Sequence, residues 1–314
     1  MNAPPLLSLR DLAVVFHRDR RRIRALRGLD LVLAAGERLA LLGESGSGKS
    51  TALLAIAGLL GPEAERSGEI LFPLLGRAPI LGRDVGFVFQ DPFSALDPVL
   101  DVATQIAEPI RFHRGASWSA ARAEAVALLR RVGIEPAEKR ARDVPHRFSG
   151  GERQRIAIAM AIAAEPRLLL ADEPTSALDT VNQAQILDLL DGLVRARDTA
   201  LLLVTHDPAV AARIADRIAV LYAGRCVEVG PSARVLGAPR HPYTRALLAA
   251  ALSLDRPPPR PLPEIPGSPP DPERDIAGCP FAPRCPLAAS RCRTTPPPRT
   301  GGPEDGVACH LYAP

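Results

Sequence analysis

Apolar positions along the chain change their spacing three times, and each spacing predicts a different kind of element. Residues 6–35 alternate apolar and polar, the period of strands with one buried face, which predicts a small antiparallel sheet with Phe16 at its end. Unbroken apolar runs of strand length then recur at Arg38–Leu42, Val85–Phe89, Arg167–Glu173 and Ala200–Val204. Such runs suit strands buried on both faces of a parallel sheet. Between them the period is helical. Ala52–Ala57 opens a buried helix, and residues 91–165 read as mostly helical, with Val126, Leu129 and Val132 on one stripe and Ile156, Met160 and Ala163 on another. Residues 166–230 return to alternating strands and helices. The fold class this predicts is α/β, a parallel sheet covered on both faces. After Ser253 the pattern breaks: residues 256–314 hold 17 of the 33 prolines, an extended linker followed by a cysteine-bearing region.

At the end of the Arg38–Leu42 run stand Gly43, Glu44, Ser45, Gly46, Ser47, Gly48, Lys49, Ser50 and Thr51, a full match to G-x-x-x-x-G-K-[ST]. The glycines let the backbone curl so that successive N–H groups point inward at anionic oxygens, and the following helix adds its partial positive charge. Lys49 can reach the β- and γ-phosphates and the Ser50 hydroxyl can ligate Mg²⁺. The strand–loop–helix setting sets this apart from a flexible Gly/Ser turn. The residues imply binding of a nucleoside triphosphate.

A second apolar strand ends in Asp172 and Glu173, about 120 residues downstream. Asp172 is placed to hold Mg²⁺ directly or through water, and Glu173 to reach a water attacking the γ-phosphate. Between these motifs Phe148-Ser149-Gly150-Gly151-Glu152-Arg-Gln-Arg155 opens an apolar helix. Here the chain resembles the ATP-binding-cassette ATPases, whose signature is Leu-Ser-Gly-Gly-Gln or a near variant; Glu152 departs from the usual Gln. Other elements of that family follow in order: Phe16 as the adenine-stacking aromatic, Gln90 as the Q-loop, Ser176-Ala-Leu-Asp179 as the D-loop and Thr205-His206-Asp207 as the switch-histidine loop.

The resemblance implies a P-loop nucleotide-binding domain with a RecA-like parallel sheet core, an antiparallel β subdomain and a helical subdomain at about 91–165. It implies ATP with Mg²⁺ bound at Lys49, Ser50, Gln90 and Asp172, Phe16 against adenine, Glu173 polarising the attacking water and His206 orienting the γ-phosphate region. Ser149, Gly150 and Gly151 would cap the γ-phosphate held by a second, homologous cassette, and Asp179 would lie in the same shared interface.

Three further stretches narrow the resemblance: Gln90-Asp-Pro-Phe-Ser-Ala-Leu-Asp-Pro98, His241-Pro-Tyr-Thr-Arg-Ala-Leu-Leu248 and Cys279-Pro-Phe-Ala-Pro-Arg-Cys285. They resemble the ATPase subunits of oligopeptide and dipeptide importers. That implies two membrane-spanning permease subunits received by Gln90–Asp101, an extracytoplasmic solute-binding protein, a heterodimer of cassettes, and a peripheral place on the cytoplasmic side of the inner membrane. Importers of nickel or another small solute share the tail style and are the alternative. A soluble ATPase of DNA repair or translation is the remote one, disfavoured by the single cassette and the absence of sustained heptads.

Composition agrees. The length leaves room for one nucleotide-binding domain of about 250 residues (1–255) and an appendix (256–314). Hydrophobic residues make up 46 %, yet no stretch of 18 or more is uniformly apolar and no basic-then-apolar signal region opens the chain. The expectation is a protein that neither spans a membrane nor is exported. Net charge is +4, and 37 of the 39 basic residues are arginines, Lys49 and Lys139 being the lysines. With abundant Ala this reads as codon bias, with no nucleic-acid partner. The run Arg18–Arg24 reads as a solvated hairpin tip, or else a contact with nucleotide, lipid or partner.

Cys279, Cys285, Cys292 and Cys309 fall within 31 residues, whereas the preceding 278 hold one cysteine, Cys226, read as core filler in a strand. Clustered thiols in a cytosolic protein point to metal ligation. The resemblance implies a [4Fe–4S] cluster, which some relatives carry; zinc, and free or oxidised thiols, stay open. With few large apolar side chains, among them Phe281, Leu287 and Tyr312, the tail is expected to need such a centre in order to fold. His310 reads as a surface residue rather than a ligand.

Overall fold

The computed structural model describes residues 3–18, 21–176, 178–251 and 264–313. Ala177 of the Ser176–Asp179 loop, residues 19–20 of the arginine run and the linker residues 252–263 lie outside the described residues. The strands are β1 (Leu7–Arg18), β2 (Arg21–Leu33), β3 (Arg38–Leu42), β4 (Ala64–Leu71), β5 (Val85–Val88), β6 (Leu168–Asp172), β7 (Ala200–Thr205), β8 (Arg217–Tyr222), β9 (Arg225–Pro231), β10 (Arg299–Gly301) and β11 (Gly306–Ala308). The chain divides into two compact units, one of Met1–Leu33, Arg38–Leu74 and Val204–Pro314, the other of Ala34–Glu37 and Leu75–Leu203.

In the first unit the alternating segment forms the antiparallel sheet β2-β1-β4, with Phe16 opposite Ile23 and Ala64 near the hairpin end. Leu7 and Leu9, and after a bulge at Arg10–Asp11 Leu12 and Val14, turn to the buried face, each pair keeping the two-residue period. A second sheet runs β10-β11-β9-β8-β3, with β3 parallel to β8 and β8 antiparallel to β9. Leu39–Leu42 are wholly buried, since a parallel strand covered on both faces has no side for a polar residue.

In the second unit the strand order is β7-β6-β5, and β5 lies parallel to β6 with Val85 opposite Leu168. Helices Val102–Arg114, Trp118–Arg131, Gly150–Ile162 and Thr180–Arg195 belong here. The Trp118–Arg131 helix keeps the expected stripe in part, Leu129 and the capping Val132 being buried. Its buried face is Ala121, Ala125, Leu128 and Leu129, and Val126 is only half-buried. Alanines define that face by permitting close helix approach, and a reading weighted by large side chains places it too far round. No helix among the described residues is long and apolar enough to cross a membrane.

The tail does not fold on its own resources. Phe281 is 1 % exposed and sits between Tyr222 and Tyr243, with ring centroids 5.4 Å from each. It completes a core that includes Val220, Val227, Val235 and Leu247. β11 adds to the edge of β9, which buries Val307 opposite Glu228. Cys226 is buried in β9 as expected, but His310 is also buried, its Nε2 lying 2.9 Å from the carbonyl of Thr295. The arginine run is not simply a solvated tip. Arg21 pairs with Glu273 and Arg24 with Asp275, the Arg24 amide donates to Pro272 O, and Arg27 Nη2 donates to Pro272 O (3.0 Å) and Arg274 O (2.9 Å).

Truncating Phe281 removes a ring from a fully packed site. Phe281→Ala is expected to lower unfolding free energy by about 3–5 kcal/mol in urea titrations. An unchanged midpoint would mean that the tail is not part of this core.

Candidate nucleotide site

The phosphate loop is shaped by two approaches that exclude side chains. At Gly43, where buried β3 ends, an added Cβ would lie 2.3 Å from the Leu221 carbonyl oxygen; at Gly48 it would lie 2.4 Å from that of Ala25. Gly48 has φ +100°, and Gly46 has φ +76° with open space around it, both in the left-handed region that glycine alone adopts freely. Gly48 is the N-cap of the Lys49–Ala57 helix and supplies no side-chain hydrogen bond, and the dipole at this helix end favours an anion. Lys49 is buried and its Nζ donates to Gly43 O (2.9 Å) and Glu44 O (3.0 Å), carbonyls that stand where phosphate oxygens would compete. Ser47 Oγ is buried with no hydrogen-bond partner among the described residues. A buried cation, an orphaned hydroxyl and a cradle that any Cβ would fill fit a polyphosphate.

Tyr243 supports this loop and was not picked out as a site residue from the sequence. Its phenol accepts a hydrogen bond from the Glu44 amide at 2.9 Å, and burial pushes its pKa up, which keeps the oxygen neutral. The His241-Pro-Tyr stretch is set from below by Glu228, a fully buried carboxylate. Glu228 accepts from the His241 amide (2.8 Å) and the Arg240 amide (2.9 Å) and pairs with Arg234 at 2.6 Å. His241 Nδ1 in turn accepts from the Tyr243 amide. Also in the first unit, Phe16 is half-buried, and His206 is exposed on the turn after β7, where Asp207 Oδ1 caps the next helix through the Ala209 amide.

In the second unit β6 ends with buried Asp172, followed by half-buried Glu173 at φ +43°. A non-glycine residue in that region stores backbone strain, commonly where geometry serves a site. The Glu173 carbonyl accepts from the Ser176 amide and hydroxyl, which fixes the turn. Gln90 is exposed on the bend after β5. Beyond it, Gln105 is buried and braces the loop, bonding to the Asp97 amide and to Asp97 O and Leu100 O. The same loop leaves Phe93, Val99 and Leu100 exposed, with the Arg153 guanidinium 3.9 Å over the Phe93 ring.

Ser149 caps the Gly150–Ile162 helix, and Glu152 fills the position where the family signature has Gln. Ser149 Oγ accepts from the Glu152 amide while the Glu152 carboxylate accepts from the Ser149 amide, a reciprocal capping box. Burial works to raise the Glu152 pKa, but the bonds from Ser149 and the charges of Arg140 and Arg155 hold it below its usual range. Asp179 caps the Thr180–Arg195 helix through the Val181 and Asn182 amides. Its partner Asn182 also lies against Gly151, where a Cβ would meet Asn182 Oδ1 at 3.2 Å, so Asp179 and the signature glycine are brought together.

The four tail cysteines converge on one cavity of about 30 Å³, shared with His241, Phe281 and His310. Burial first, and then the nearby Cys292 and Cys309, push the Cys279 thiol up to about 11; Cys285 and Cys309 are raised for the same kinds of reason. Among the described residues, however, no group of three or more His, Cys, Asp or Glu side chains is placed to hold a metal ion. The thiols share a cavity without the assembled ligand set that the sequence led one to expect.

A cradle of this form at the end of a buried parallel strand places the chain among P-loop nucleoside triphosphatases. The family models agree and go further: ABC transporter matches residues 26–176, and the C-terminal region of oligopeptide/dipeptide transporters matches 227–292. A peptide import ATP-binding protein of Brucella abortus is 44 % identical over 301 residues, covering 93 % of this chain and 90 % of that protein. The oligopeptide transport ATP-binding protein OppD of Bacillus subtilis is 45 % identical over 287 residues, 88 % of this chain and 80 % of that one. Among solved structures, the dimeric cassette MJ0796 bound to ADP and phosphate superposes with a TM-score of 0.62 at 32 % identity, covering 72 % of this chain and 98 % of that one. CbiO1 of Clostridium perfringens, part of an ABC transporter complex, gives 0.61 at 26 % identity, over 75 % and 92 %. The chain belongs to the ATP-binding subunits of the ABC transporter family and is an ATPase.

The glycines offer a graded test. Gly46→Ala meets only backbone strain, about 1–2 kcal/mol, whereas Gly48→Ala adds a collision with Ala25 O. Calorimetric titration is expected to show a larger loss of ATP affinity for Gly48→Ala. Equal losses would contradict the steric reading.

Proposed function

We propose that this chain powers a dipeptide or oligopeptide importer, acting peripherally on the cytoplasmic side of the membrane. The observation that carries the reading is the combination, on one chain, of the phosphate loop and a region of the oligopeptide/dipeptide transporter kind at 227–292. In this reading residues 1–255 are the cassette and 256–314 the extension.

The bound ATP–Mg²⁺ supplies the phosphoanhydride bond whose hydrolysis drives the cycle. Lys49 and the loop amides would neutralise its phosphates, Ser50, Gln90 and Asp172 would hold the metal, and Phe16 would lie against the base. Glu173 would polarise the attacking water and His206 would orient the γ-phosphate region. Ser149, Gly150 and Gly151, with Asp179 beside them, serve the nucleotide of a second, homologous cassette. The dimeric form of MJ0796 supports that pairing. The exposed Phe93, Val99 and Leu100 on the Gln105-braced loop support docking of two permease subunits at Gln90–Asp101. A solute-binding protein outside the membrane completes the system.

Replacing Glu173 by Gln keeps its size and hydrogen bonding but removes the charge that polarises water. Turnover of the reconstituted complex is expected to fall by roughly 10²–10⁴-fold with ATP affinity nearly intact. Hydrolysis at the native rate would remove Glu173 from this role.

We further infer that Cys279, Cys285, Cys292 and Cys309 together carry a [4Fe–4S] cluster, zinc being the alternative. What supports the reading is that the four thiols line one cavity. Anaerobically purified protein should then contain about four iron and four sulfide per chain; about one zinc would favour the alternative. Four thiols open to alkylation with no metal would refute both.

A further inference from the structure

Arg284 precedes Cys285 in the tail, yet its side chain is only 4 % exposed, which is unusual for a cation. All five of its N–H donors are engaged. Nε donates to Pro266 O (2.8 Å), Nη1 to Glu44 Oε2 (2.9 Å) and the Tyr222 hydroxyl (3.2 Å), and Nη2 to Glu44 Oε1 (3.2 Å) and Ile265 O (3.1 Å). The forked pair with Glu44 is the bidentate arrangement that guanidinium geometry favours.

Glu44 is the residue that follows Gly43 in the phosphate loop, at a position where the motif allows any side chain. Here each of its polar groups is held. Its amide donates to Tyr243, its carbonyl accepts from Lys49 Nζ, and its carboxylate accepts from Arg284. Arg284 therefore acts on the loop in two ways. It fixes the residue whose carbonyl sets the resting place of Lys49, and it neutralises a carboxylate one residue from where polyphosphate charge must sit. Without it, Glu44 would turn a negative charge toward an anion site of low exposure, where charges interact strongly.

We propose that Arg284 is a positioning residue of the nucleotide site, through which the cysteine-bearing extension sets the affinity of the phosphate loop for ATP. The proposal rests on the phosphate loop being the ATP site. The loop bounded by Cys279 and Cys285 carries this residue, so a change there reaches Lys49 through one carboxylate.

Four variants of the full chain test it by calorimetric titration with ATP–Mg²⁺ and by steady-state hydrolysis in the reconstituted complex. Arg284→Gln should raise the ATP Kd at least about tenfold and raise KM more than it lowers kcat. Arg284→Lys, which keeps charge but not the fork, should fall between. Glu44→Gln combined with Arg284→Gln should recover most of the lost affinity, because the uncompensated carboxylate is gone; a merely structural Arg284 would not be rescued in this way. The proposal is overturned if Arg284→Gln lowers the melting temperature but leaves Kd within about twofold, or if the double variant binds no better than the single. Should Arg284→Gln fail to fold, Arg284→Lys with and without Glu44→Gln gives the same comparison. Lys49→Ala separates the two levels of the argument. If it binds ATP as the native chain does, the phosphate-loop reading itself fails; if it loses ATP while Arg284→Gln does not, only the role of Arg284 fails.

Discussion

The nucleotide site depends on two places where backbone meets backbone with no room for a side chain. The Leu221 carbonyl presses on Gly43 and the Ala25 carbonyl on Gly48. These approaches lock the phosphate loop between β8 and β2, so its curl is dictated by the core rather than by its own residues. From Leu221 the chain runs directly into Tyr222, whose ring lies 4.4 Å from that of Tyr243 and whose hydroxyl accepts from Arg284. The phosphate loop and the aromatic cluster beneath it are therefore packed directly against each other, so a disturbance at either reaches the other without any long-range device.

The extension belongs to that body, and magnitudes decide which contacts matter. Arg21–Glu273 is an exposed ion pair, of a kind that contributes about 0–1 kcal/mol. The burial of Phe281 contributes several times as much. A pocket that already exists makes the ring's burial more favourable, because the residues lining it are ordered by the rest of the core, while each ordered tail residue still carries its own entropic cost. The tail's composition alone suggested a segment in need of a metal to fold. Its Phe281, β11 and Arg284 instead use surfaces made by the cassette.

The sequence disclosed what chemistry restricts to particular residue types. Phosphate cradling requires glycines and a lysine at fixed spacing, and a doubly covered parallel strand requires an unbroken apolar run, so both were legible. Tyr243 and Arg284 were not, because their partner Glu44 lies 199 and 240 residues away and neither residue type is unusual by itself. Buried Glu228 carried no local signal, since its meaning lies in the amides of Arg240 and His241. Glu152 could have been read: a Ser followed three residues later by Glu is a capping box, which takes Glu as well as Gln, so the departure from the family signature leaves the helix start intact. The stripe of Val126, Leu129 and Val132 was legible at Leu129 and Val132 and missed only at Val126, because alanines define part of the helix face without adding much hydrophobicity.

The clasp between β2 and the Pro-rich strap has a practical consequence for any shortened form of this protein. Burial, with Arg24 and Arg225 close by, already holds the Arg27 guanidinium below its ordinary pKa. The strap relieves this crowding with the carbonyls of Pro272 and Arg274 and with the carboxylates of Glu273 and Asp275. A cassette cut off before the strap would bare the mutually repelling guanidinium groups of Arg24 and Arg27 beside the phosphate loop. Such a fragment would collect heparin, RNA and other polyanions during purification, and an affinity measured on it would describe the missing strap rather than the native chain.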